Sequence, residues 1–159
     1  MPIASSIRLA AGAVALLLGA AALGCGDPLR PADVAGAYAL VRVESEALPA
    51  VLYSNEYVRV RVLADTLRLN ADGSGTRIGL RDVEPLQQGV APAGETRVEG
   101  EFRFWTANGR VEVDFICPPN ANCVAPPHLV ARPVPGGLRV DFDLGARVPL
   151  FYARVAGAP

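Results

Sequence analysis

Hydrophobic and polar residues alternate with a period of two along almost all of the chain from Gly36 onward. The alternation is clearest where apolar Val58, Val60 and Val62 are separated by Arg59 and Arg61. A period of two is typical of a β-strand with one buried and one solvated face, and no long stretch keeps a helical spacing. The pattern therefore predicts an all-β chain.

Turn signals divide this region into eight or nine strands. The Asn108-Gly109 pair between two alternating runs is the strongest hairpin signal. The apolar phase shifts between Val62 and Leu67, which predicts a bulge near Ala64-Asp65. The predicted strands cover residues 36–44, 56–63, 65–70, 75–83, 96–105, 110–117, 128–133, 138–144 and 149–155.

An antiparallel sheet of this size with one apolar face must either pack against a second sheet or close on itself. Successive hairpins favour a meander, and closure removes the exposed edges of the sheet. We therefore expect an up-and-down antiparallel β-barrel, with a β-sandwich as the alternative.

The N-terminus carries an export signal. An apolar run covers residues 9–24, which is short for a bilayer-spanning helix and typical of a signal peptide. The following Ala22-Leu23-Gly24-Cys25-Gly26 resembles the lipobox of bacterial lipoproteins. That resemblance implies cleavage after Gly24 and a diacylated Cys25 that anchors the protein in a membrane. Ordinary secretion, with cleavage at a small-residue site, is the alternative.

These features divide the chain into a signal peptide (1–24), a lipidated cysteine with its tether (25–35) and a β-barrel domain (36–159). The tether contains two prolines after Cys25 and shows no periodicity. Because Gly26 and not Asp follows the cysteine, the resemblance implies an outer-membrane location with the domain facing the periplasm.

The three cysteines fit this location. If Cys25 carries lipid, Cys117 and Cys123 remain as an even pair, and an exported domain favours a disulfide between them. Together with His128 the pair also has the ligand types of a zinc or copper site, but five residues separate the cysteines and no fourth ligand is evident. We therefore expect a disulfide, no metal and no cofactor.

Four short motifs resemble those of bacterial lipocalin-like lipoproteins. The resemblance implies a calycin-type barrel in which Arg154 of the last strand covers Tyr38 of the first. The motifs are Gly36-Ala37-Tyr38-Ala39-Leu40, Leu48-Pro49, Leu67-Arg68-Leu69-Asn70-Ala71-Asp72-Gly73-Ser74 and Tyr152-Ala153-Arg154.

The residue composition argues against several classes of function. The 15 basic residues, all arginine, face 16 acidic ones, so there is no basic surplus for nucleic acid. A catalytic nucleophile needs a base beside it, and the chain has His128 as its one histidine and no Gly-x-Ser-x-Gly motif. We interpret the paired carboxylates Glu99/Glu101 and Asp141/Asp143 as part of the solvated face, with arginines at cross-strand distance from them. We predict no catalytic role.

Two hypotheses remain for the interior. In the first, the barrel binds a small apolar or amphiphilic ligand, whose polar head Tyr53, Tyr57 or Trp105 could meet at the mouth. In the second, the barrel is filled by its own side chains and serves as a structural or protein-interaction module of the cell envelope. The predicted ligand-lining residues are Phe102, Phe104, Val111, Val113, Phe115, Val140 and Phe142.

Overall fold

The computed structural model describes residues 28–89, 92–118, 128–143 and 147–157, without the side chains of residues 142, 143 and 147. One short helix precedes ten strands. The elements are α1 (Pro31–Val34), β1 (Gly36–Val43), β2 (Glu46–Ala47), β3 (Ala50–Ser54), β4 (Val58–Leu69), β5 (Ser74–Pro85), β6 (Gly94–Ala107), β7 (Arg110–Phe115), β8 (His128–Val134), β9 (Gly137–Asp143) and β10 (Arg147–Arg154).

Eight of the strands close into an antiparallel barrel. Strands β4 to β10 follow one another as a meander, β10 pairs with β1, and β1 pairs with β4. The closing register joins Gly36 to Leu69 and Ala39 to Thr66. The predicted all-β, up-and-down barrel is therefore confirmed, and the sandwich alternative is wrong because the sheet returns to its own first strand.

The short strands β2 and β3 lie outside this ring and were not predicted. β2 pairs with the end of β1, and β3 pairs with the first half of β4, where Ala50 is opposite Val62. β4 thus has β1 as a neighbour along its second half and β3 along its first half. β2 is too short to show a period-two pattern, and Pro49 interrupts any such pattern between β2 and β3.

A bulge interrupts β4 where its neighbour changes. The register with β5 shifts between Val62 and Ala64, next to the predicted position. The two runs predicted at 56–63 and 65–70 are therefore one bent strand. After the bulge, Asp65, Leu67 and Leu69 all lie on the buried face. A bulge re-aims the side chains that follow it, and here it turns a carboxylate into the interior.

The segment before β1 packs against one end of the barrel. Val34 of α1 is buried, and its carbonyl accepts a hydrogen bond of 2.8 Å from the Tyr38 hydroxyl. The Thr106 hydroxyl donates to the Leu29 carbonyl on the same end. The described part of the predicted tether, residues 28–35, is thus docked on the domain.

The predicted contact between the first and last strands is present. The Arg154 guanidinium carbon lies 5.9 Å from the centre of the Tyr38 ring, and the Arg154 side chain also donates to the Ala35 carbonyl. Tyr38 and Arg154 are direct partners in the β1–β10 register. This contact joins α1, β1 and β10 at the end of the barrel that we call the α1 end.

Candidate functional site: the barrel interior

Five of the seven predicted ligand-lining residues are buried and face the interior. These are Phe102, Phe104, Val111, Val113 and Val140. Phe115 is half-buried and packs on the same core, while the Phe142 side chain lies outside the described part of the structure. The alternation along the strands thus predicted which way these side chains point, and their role as ligand contacts stays a prediction.

The aromatic rings fill the space that they line. The Phe102 ring lies 6.4 Å from the Phe104 ring and 5.6 Å from the Phe115 ring, in tilted and edge-to-face arrangements. Phe102 also covers Gly75, where an added Cβ would lie 2.1 Å from a carbon of the ring. Glycine at this position makes room for the aromatic side chain.

The cavity that remains in this region has a volume of about 20 Å³. It is lined by Phe102, Val111, Leu138 and their neighbours, and Arg77 and Tyr152 also border it. This volume holds about one water molecule, whereas small-molecule sites measure about 300–1,000 Å³. Among the described residues, the interior is therefore occupied by the protein's own side chains.

A charged cluster that the alternation did not predict shares this interior. Asp65 on β4 is 3% exposed and Arg77 on β5 is 7% exposed. The Arg77 Nε lies 3.1 and 3.0 Å from the two carboxylate oxygens of Asp65, and Nη2 lies 2.5 Å from Oδ2. Both carboxylate oxygens are thus engaged by one guanidinium, the geometry of a strong charge-assisted pair.

Tyr152 and Arg81 complete the cluster. Burial raises the Tyr152 pKa well above its ordinary value, and the negative charge of Asp65 raises it further, so the hydroxyl stays neutral. Burial alone lowers the Arg77 pKa, but the hydrogen bonds and charge of Asp65 outweigh this and raise it. Arg81 reaches the same carboxylate less closely, with Nη2 3.5 Å from Asp65 Oδ2.

The sequence pattern did not reveal this cluster, because β5 inverts the usual arrangement of a polar residue facing solvent and an apolar residue facing the interior. Its buried positions include Gly75, Arg77 and Gly79, whereas Ile78 between them is 47% exposed. An added Cβ on Gly79 would lie 3.2 Å from Asp65 Oδ2. Glycines in phase with an arginine are the signal that could have revealed the inversion, because small residues leave room for a buried guanidinium.

The outer surface carries ion pairs between neighbouring strands and also between residues two apart on one strand. Arg61 lies 2.7 Å from Asp82, its direct partner across β4 and β5, and Arg139 lies 3.0 Å from Asp141. Glu99 and Glu101 are exposed, and Glu99 contacts Arg97. These carboxylates lie on the solvated face, where the alternation placed them.

His128 lies on the outer face between two carboxylates. Its Nδ1 is 2.8 Å from Asp114 and its Nε2 is 2.8 Å from Glu112, and both contacts raise the His128 pKa. Trp105 packs beside it with ring centres 5.9 Å apart. Ser74 is the first residue of β5, directly after the hairpin turn, and its hydroxyl donates to Asp72. With both ring nitrogens of His128 bound to carboxylates, this arrangement holds no nucleophile for a base to activate.

The predicted rim residues do not meet at one opening. Trp105 is 42% exposed on the outer face, near the β6–β7 turn at the α1 end. Tyr57 is 43% exposed just before β4, at the opposite end, and Tyr53 accepts a hydrogen bond from Asn55 nearby. A single ligand head group at one mouth therefore does not contact all three.

Cys117 is disulfide-bonded. Its partner lies outside the described residues, where both of the other cysteines, Cys25 and Cys123, are found. The Cys117–Cys123 pairing and the lipidation of Cys25 remain predictions. In the described ranges, no group of three or more histidine, cysteine, aspartate or glutamate residues is arranged to hold a metal ion. The same ranges contain no helix of the length and apolar character needed to cross a membrane.

The fold and the interior define a closed eight-stranded antiparallel barrel with a packed core and a buried ion cluster. No family model, curated protein or solved structure matches the chain.

Proposed function

We propose that the chain is an exported, lipid-anchored protein of the cell envelope whose barrel is a non-catalytic structural or protein-interaction module. The observation that carries the choice between the two interior hypotheses is the cavity of about 20 Å³ among the predicted ligand-lining residues. A fatty acyl chain or similar amphiphile needs a volume more than ten times larger. The filled core favours a module that acts through its outer surface.

The outer surface offers apolar contacts for this role. Ile78 and Ile116 are 47% and 44% exposed and line an open groove of about 500 Å³ beside Gly100. Glu99 and Glu101 border the same groove. Apolar side chains rimmed by charges are common at surfaces that contact other macromolecules.

The docked N-terminal segment supports a fixed orientation at the membrane. Cys25 precedes Pro28 by three residues, a span of at most about 11 Å. Since Leu29 and Val34 pack on the α1 end, a lipid on Cys25 would hold that end close to the head groups. The opposite end, where β5 finishes at Pro85, then faces the periplasm.

Metabolic labelling with a palmitate analogue tests the anchor. Wild-type protein should take up the label and sediment with outer membranes, and Cys25→Ala should do neither. Cys123→Ala is the matched control, because it removes a cysteine and leaves the lipobox intact. Label that persists in Cys25→Ala would contradict the proposal.

Titration of the unacylated Cys25→Ser protein with fatty acids tests the filled interior. We expect no saturable change in Trp105 fluorescence and no rise in melting temperature. A ligand present at 100 times its dissociation constant would add about 2.7 kcal/mol to the free energy of unfolding, which is easily measured. A saturable rise with long-chain fatty acids that acetate does not reproduce would instead support the ligand-binding hypothesis.

A further inference from the structure

The interior cluster contains more positive than negative charge. Asp65 is its one carboxylate in the described part of the chain, and it faces the guanidinium groups of both Arg77 and Arg81. Tyr152 is neutral and does not reduce the difference. Burying a charge without a partner costs free energy, so an anion bound beside a surplus buried cation would stabilise the protein.

Arg81 is the guanidinium of this cluster that lacks a close negative partner. Arg77 takes both oxygens of Asp65 at 2.5–3.1 Å, which leaves Arg81 a single contact of 3.5 Å. The Arg81 Nε atom is buried and has no hydrogen-bond partner, and it is the one buried side-chain nitrogen or oxygen in this state among the described residues. An unpaired buried donor costs about 1–3 kcal/mol.

Arg81 lies toward the end of the barrel that is opposite to the α1 end. Its register partners are Val62 on β4 and Thr96 on β6, so all three side chains lie on the same face of the sheet. Val62 is 1% exposed, whereas Thr96 is exposed. The Arg81 side chain is 14% exposed, compared with 8% for that of Arg77. Arg81 therefore stands where the packed interior meets solvent.

We propose that Arg81 is a binding site for one small carboxylate at this mouth of the barrel. The Nε and Nη groups along one edge of a guanidinium match the two oxygens of a carboxylate. Thr96 places a hydroxyl donor on the same face. The packed core beneath limits the ligand to a short carboxylic acid or an acidic side chain of a partner.

The electrostatics around Arg81 agree with this site. Burial lowers the Arg81 pKa, and the positive charge of Arg77 lowers it further, while Asp65 only partly compensates. A bound carboxylate would supply the missing negative charge. The inference does not depend on the lipid anchor; the filled core enters only by limiting the size of the ligand.

The side-chain Nε–Hε resonances of arginine, measured by NMR on the ¹⁵N-labelled full chain in a maltoside detergent, test the site. Sodium acetate replaces sodium chloride at constant pH and ionic strength. We expect the Arg81 resonance, assigned by its loss in Arg81→Gln, to shift saturably. Arg97, which is exposed on β6, should show no saturable shift and serves as the internal control.

Arg81→Lys keeps the charge and removes the two-nitrogen edge, so acetate affinity, followed through the backbone amide of Thr96, should fall about tenfold, equivalent to about 1.4 kcal/mol. If Arg81→Gln fails to fold, this second variant and the wild-type titration still decide the question. An Arg81 resonance that does not respond to the replacement of chloride by acetate, or that merely parallels Arg97, would overturn the proposal.

Discussion

The barrel interior consists of two regions that are both buried and are stabilised in different ways. Around Phe102, Val111 and Leu138 the side chains are 0–1% exposed and apolar. Asp65 and Arg77 are also buried, at 3% and 7% exposure, but their contacts are ionic. The apolar region depends on volume and shape, whereas the ionic region depends on every partner being present.

This difference gives the two regions different roles in specifying the fold. Leu, Val and Phe side chains tolerate exchange among similar volumes. The Asp65–Arg77 pair instead requires one register, because a slip of one residue along β5 would place Ile78 inside and Arg77 outside. We infer that the ion pair fixes the alignment of β4 and β5 at the bulge, while the apolar region supplies most of the burial.

The largest expected effect is that of Asp65→Asn. This variant keeps the shape of the side chain but leaves Arg77 and Arg81 without a negative partner, so the free energy of unfolding should fall by about 3–5 kcal/mol. Chemical denaturation measures the loss. Asp82→Asn, which breaks the exposed pair with Arg61, is the matched control and should cost less than about 1 kcal/mol. Equal losses in the two variants would remove the distinction between the ionic interior and the surface.

A smaller effect is expected from Gly75→Ala in the apolar region. The new Cβ would meet the Phe102 ring at 2.1 Å and the Arg68 carbonyl oxygen at 2.7 Å, so the ring must move. Overpacking of this kind costs about 1–3 kcal/mol. Gly100→Ala on β6 is the control, because its Cβ would lie 3.4 Å from Phe115 and should fit with little loss. A Gly75→Ala protein as stable as Gly100→Ala would show that the core is loosely packed.

The smallest expected effect concerns His128 on the outer face. Its pKa is raised in the folded state by Asp114 and Glu112, so the protonated form is favoured by folding. The resulting stability is fully present below the unfolded pKa of about 6.5 and is lost as the pH rises through the higher folded pKa. Because the side chain is 49% exposed, solvent screening keeps the contribution below about 1 kcal/mol.

Denaturation at pH 5.5 and 8.5 measures this contribution in wild-type protein and in His128→Gln. The difference between the two proteins should shrink at the higher pH. A difference that grows with pH would mean that folding favours neutral His128.

Much of the fold could be predicted because most strands obey one rule. Period-two alternation gave the positions of β1 and β4 to β10, and the phase shift beyond Val62 gave the bulge. The ionic interior could not be predicted in the same way, because Arg77 and Ile78 exchange the faces that their polarity suggests. Burial of a charge depends on a partner from another strand, and no local pattern around Arg77 identifies Asp65 as that partner.

The packed interior is the central claim, and benzene binding tests it most directly. Phe102→Ala should create an apolar cavity whose lining binds benzene, as engineered dry cavities do, and Leu138→Ala provides a second variant in the same region. We expect saturating benzene to raise the melting temperature of either variant and to leave that of the wild-type protein unchanged. A saturable rise in the wild-type protein would contradict the account, because it would show that the native barrel already holds an empty apolar site.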